Sequence, residues 1–63
     1  MSEVADHYRI LAAQNRAQWL KENFGDQALA RARRDLEEAE ASGLRGEDLI
    51  LYDWVIAALE GRL

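Results

Sequence analysis

Apolar residues in this chain recur every three to four positions, the interval at which side chains return to one face of an α-helix. The pattern is punctuated by glycine alone, because the chain contains no proline. Gly25 and Gly43 supply residues able to end a helix in the left-handed conformation. Three helices are therefore expected, over 3–24, 26–42 and 47–61. Ser2 is placed to cap the first, with Glu3 and Asp6 near the positive end of its dipole. Asp26 is placed to cap the second. Leu44 and Arg45 connect it to Gly46, after which Glu47 and Asp48 open the third with negative charge. The short alternating stretches at 30–33 and 38–42 run through alanine, which favours helix over strand.

The three segments differ in how apolar residues are distributed around them. The second carries one stripe, Ala28, Leu29, Ala32, Leu36 and Ala39, against a mostly charged remainder. The first carries two. Val4, Tyr8, Leu11, Ala12 and Trp19 form one face, interrupted by Asn15, and Ile10, Ala13, Ala17, Leu20 and Phe24 form the other. In the third, Leu49, Tyr52, Ile56, Leu59 and Leu63 keep heptad spacing, while Ile50, Leu51, Trp54, Val55 and Ala58 cover most of the remaining circumference.

Short connections make neighbouring helices antiparallel, so the expected fold is all-α, a three-helix hairpin or bundle. The first helix, roughly 33 Å long at about 1.5 Å per residue, would outrun the other two. A chain of 63 residues forms one domain and hides only about 60% of its unfolded surface. Domains of this size commonly need a disulfide, a metal or a partner. Cysteine is absent, and the single histidine, His7, does not make a zinc site by itself. Homodimerisation is the expected completion. The expected interface comprises Ile10, Ala13, Ala17, Leu20 and Phe24 of the first helix with Leu49, Tyr52, Trp54, Ile56 and Leu59 of the third.

Composition narrows the function classes. Twelve acidic against eight basic residues give a net charge of −4, which disfavours general affinity for phosphate backbones or anionic membranes. No apolar run approaches the ~18 residues of a membrane span, and no signal peptide is apparent, so a cytoplasmic location is expected. Apolar residues at 49% suffice for a core.

Candidate chemistry is sparse. Asp6 and His7 are adjacent in sequence and so point about 100° apart on a helix, which is poor geometry for an acid–base pair. Asp35, Glu37, Glu38 and Glu40 point in different directions, and Arg33 and Arg34 are spaced to pair with Glu37 and Glu38. Arg31, Arg33, Arg34 and Arg45 are the weak candidates for a phosphate-binding patch. They flank a turn at Gly43 that resembles the corner of a helix-turn-helix unit. The reading head it would present, Arg45, Gly46, Glu47, Ile50 and Leu51, is poorly suited to base edges. No catalytic group, cofactor, metal or small-molecule substrate is expected.

The run Phe24-Gly25-Asp26-Gln27-Ala28, the alanines and Arg31 in a charged helix, Gly43, and the closing Trp54-Val55-Ile56-Ala57-Ala58-Leu59 resemble a group of short, uncharacterised helical proteins from alphaproteobacteria. The resemblance covers roughly the last 40 residues. It implies a bacterial, cytoplasmic protein and carries over no functional residue.

The expected function is thus a non-enzymatic protein-interaction module, a homodimeric regulator or adaptor. The alternatives are a monomeric inhibitor or antitoxin-like protein that covers its spare apolar face with a different protein, and a helix-turn-helix-like DNA-binding regulator.

Overall fold

The computed structural model describes the backbone of residues 2–63 and the side chains of residues 7–63. The expected roles of Ser2, Glu3, Val4 and Asp6 lie outside the described side chains. Among the described residues the chain is all-helical, with α1 at Ser2–Phe24, α2 at Ala28–Ala41 and α3 at Glu47–Leu59. Each helix touches the other two, and α3 makes the most extensive contacts.

The junction between α1 and α2 differs from the one expected. No loop separates them. A single 3-10 turn, Gly25–Gln27, leads directly from one helix into the next, so residues 2–41 form one helical path with a sharp bend. Gly25 takes the left-handed backbone (φ 55°), but Asp26 lies inside the turn and caps nothing. The residue before α2 is Gln27, with no side-chain cap bond.

The second junction follows the sequence more closely. Gly43 has φ 99°, a region that side-chain-bearing residues rarely enter. Its N–H donates to the Glu40 carbonyl (3.1 Å), and the Leu44 N–H donates to the Ala39 carbonyl (3.1 Å). These paired bonds close a helix end at a left-handed glycine. Gly61 repeats the arrangement after α3, donating to Ala58 while Arg62 donates to Ala57. Glu47 and Asp48 occupy the first turn of α3, where negative charge suits the helix dipole.

The core is small and rich in alanine. Ala13, Ala17 and Leu20 of α1 pack with Ala28 and Ala32 of α2 and Val55 and Ile56 of α3. Among the described residues Leu20 is the only large side chain that is fully enclosed, at 1% exposure. Leu29, Leu36, Trp54, Ala58 and Leu59 pack against this cluster while remaining partly open. The stripe expected on α2 is therefore the one used.

One expectation about the other helices changes. Ala13, Ala17, Leu20 and Ile56, assigned from sequence to an interface with another chain, are buried within their own chain. The physical reason is side-chain size. Alanines at 13 and 17 let α1 approach its neighbours closely, whereas Tyr8 and Trp19 on the opposite face would hold them apart. The third helix, apolar around most of its circumference and so suited to burial on several sides, has only Val55 and Ile56 buried.

The molecule measures 36 × 25 × 16 Å between Cα extremes, with a radius of gyration of 11.6 Å. A compact chain of this length has about 10.6 Å, and the difference reflects the long α1. None of residues 7–12 is buried.

Candidate interaction surface

The outer face of α1 is built from residues whole helical turns apart. Tyr8 (68% exposed), Leu11 and Trp19 (44% exposed) all face solvent. His7, also exposed, meets the Tyr8 ring edge-on, with centroids 6.4 Å apart. Exposing so much aromatic surface is unfavourable, and neither tryptophan belongs to the buried cluster.

Around Trp19 the surface is ordered. The Arg16 guanidinium lies over the indole, 4.3 Å from the ring centroid. Phe24 meets Trp19 edge to face at 5.9 Å and 70°, and Arg31 of α2 lies over Phe24 at 5.6 Å. The Asn23 side-chain amide donates to the Trp19 carbonyl (2.8 Å), bracing the last turn of α1. Two aromatic rings in edge-to-face contact, flanked by two cations, thus run across the bend between α1 and α2, and each ring contact restrains the next side chain.

Arg16 also borders a groove where the three helices meet. Its volume is about 250 Å³. It is lined by the apolar Leu20, Ala32, Leu51 and Val55 together with Arg16, Asp35 and Tyr52. Arg16, Asp35 and Tyr52 continue into a second, more polar hollow that runs toward Ser42 and Leu44. The Arg16 side chain is therefore shared between the aromatic stripe and the groove.

The rest of the expected interface is distributed around the molecule. Ile10, Leu49, Tyr52, Trp54 and Leu59 are half-buried, and Phe24 is exposed. Arg16 was not singled out by the sequence, and Asp35 and Leu51 were considered there for other roles, a carboxylate group and a base-reading helix. A groove shared by three helices leaves no periodic signal in any one of them.

The charged surface is organised by pairing. Arg31 reaches Asp35 at 3.4 Å and Arg34 reaches Glu38 at 3.2 Å, both one turn apart on α2. Arg33 does not pair with Glu37 as its spacing suggests. It crosses to Glu60 at the end of α3, at 2.9 Å. Arg62 holds the same carboxylate through Nε at 2.9 Å and Nη2 at 2.5 Å. The Arg62 hydrogen bonds lower the Glu60 pKa below its usual 4.5; partial loss of water opposes this and Arg33 adds to it. Three of the four candidate phosphate-binding arginines thus already face carboxylates, and Arg45 stands apart on the exposed connection before α3.

Among the described residues no three acidic or histidine side chains converge as a metal site would require. No helix among them is long and apolar enough to cross a membrane. The chain matches no protein-family model, no curated protein and no solved structure.

Proposed function

We propose that this protein is a homodimeric helical interaction module, a small regulator or adaptor without chemistry of its own, in which a second copy completes the helical bundle. The observation that carries the reading is its surplus of accessible surface. A folded monomer of 7.2 kDa exposes about 4100 Å² by the size scaling of globular chains. This chain exposes 4681 Å². The excess is of the same order as the ~800 Å² that each partner buries in a standard interface.

The character of the exposed surface supports the same reading. Tyr8, Leu11, Trp19, Phe24 and Leu51 are all large, apolar and open to water. Patches of this kind mark association sites. The internal core, in which five of the eight buried members among the described residues are alanine, offers little compensation. With the charged pairs on α2 turned outward, the outer surface remains polar after association.

Static light scattering of the purified chain over a dilution series tests the proposal. A mass of twice 7.2 kDa that persists on dilution is expected. A monomer throughout would overturn it and direct attention to a different protein as the cover for Trp19 and its neighbours.

A further inference from the structure

Within that homodimer, we propose that the two copies exchange α1. Gly25 leaves its left-handed conformation, residues 2–41 straighten into one helix, and α1 of each chain packs against α2 and α3 of the other. The proposal rests on the homodimer reading and specifies how the second copy completes the bundle.

The backbone at the bend is the first argument. Only Gly25–Gln27 separate α1 from α2, and they are themselves a 3-10 turn. Of residues 24–28, Gly25 alone has a positive φ, 55°. Phe24 (φ −120°, ψ −7°) and Gln27 (φ −95°, ψ 3°) lie beside the helical region, and Ala28 (φ −57°, ψ −45°) lies within it. One glycine rotation therefore carries most of the change from bend to helix. Straightening breaks no side-chain cap, because α2 begins without one. Arg31 spans the bend over Phe24 at 5.6 Å, a contact between exposed side chains and so a weak one.

The second argument is register. Ala13, Ala17, Leu20, Phe24, Ala28 and Ala32 follow one another at intervals of four, three, four, four and four. The helical spacing thus runs through the bend without a break, a phase that a loop joining two separate helices does not impose. In a straight helix these residues form one apolar stripe, ~28 Å long at about 1.5 Å per residue.

Complementarity names the occupant. In the bent chain the stripe is folded on itself, so that Ala13, Ala17 and Leu20 pack with Ala28, Ala32, Val55 and Ile56. Straightening parts the two halves, and the surface shaped to cover each is the matching half of a second copy. Exchange of an identical element rebuilds the same contacts between chains, and short junctions invite it. Because those contacts are common to both forms, the hinge residue sets the balance between them.

The test reads the bend directly. Cysteine is absent from the chain, and positions 14 and 40 are exposed, so a Gln14→Cys, Glu40→Cys double variant can carry two spin labels. Diluted into excess unlabelled parent, it reports the distance within one chain by pulsed electron spin resonance. A straight helix sets the two backbones ~39 Å apart, and the bend brings them well inside that. The dimer should show the long distance. A Cβ at position 25 would meet no atom within 4 Å, so Gly25→Ala acts through conformation alone, disfavouring the left-handed bend and favouring helix. Its dimer dissociation constant should fall by at least about a hundredfold in sedimentation equilibrium, from the two effects in both chains. Gly25→Asn, which tolerates the left-handed region, should stay near the parent. A parent dimer that shows only the short distance would overturn the exchange and leave the homodimer standing, as would equal dissociation constants for Gly25→Ala and Gly25→Asn. A parent that stays monomeric would overturn both. Should Gly25→Ala fail to fold, the distance in the parent decides.

Discussion

Leu20 has a position no other described residue shares. Among the described residues it is the only large side chain wholly enclosed, and it shares the core with Ala17 of α1, Ala28 and Ala32 of α2 and Val55 and Ile56 of α3. The alanines around it contribute close approach rather than apolar area. Truncating a buried leucine to alanine costs ~2–5 kcal/mol through lost transfer energy and the cavity left behind. A core of this size supplies only about 3–5 kcal/mol in total. Leu20→Ala should therefore be largely unfolded at room temperature, as read by circular dichroism and urea titration. A urea midpoint equal to the parent's would show that Leu20 is not the keystone of this core.

At the scale of elements, the two junctions do different jobs with the same residue type. Gly25 turns the chain through a 3-10 turn at φ 55°, a left-handed value that asparagine also reaches. Gly43 sits at φ 99° and anchors the paired hydrogen bonds that end α2. A Cβ at position 43 would meet no neighbouring atom within 4 Å, so the cost of a side chain there is conformational rather than steric crowding. Gly43→Ala should lose about 1–2 kcal/mol, and Gly25→Asn distinctly less, in thermal or urea unfolding. Equal losses at both sites would refute the distinction. The sequence announced both breaks, since glycine alone interrupts the helical pattern. It did not distinguish a tight bend from a true loop, because that choice depends on whether α2 has a surface to fold back upon.

For the whole molecule, Glu60 is the clasp that joins α2 to the end of α3. Arg33 approaches from α2 and Arg62 from the terminal turn, and together they hold the carboxylate below its usual pKa. The sign of the resulting pH dependence follows from linkage. A carboxyl group whose folded pKa is depressed adds stability that is fully present above its unfolded value and is lost as pH falls through the folded one. The parent should lose stability on acidification below about pH 4.5. Glu60→Gln should lose less over the same interval, as chemical denaturation at a series of pH values would show. Parallel curves would mean that the clasp contributes nothing. Both arginines are largely exposed, so salt should weaken the effect.

The sequence by itself determined the local features of this protein. It specified helix throughout the described chain, the breaks near Gly25 and Gly43, the stripe on α2 and the acidic start of α3. Each is set by side chains within a few residues of one another, through periodicity, left-handed glycine and the helix dipole. The tertiary structure decided matters that depend on distant residues. It chose which of the two apolar faces of α1 turns inward, and the alanines won because they permit close approach. It sent Arg33 across to Glu60 rather than along its own helix to Glu37. It also created the groove beneath Arg16 and Tyr52, which no single helix encodes, because a cavity is a property of how helices meet.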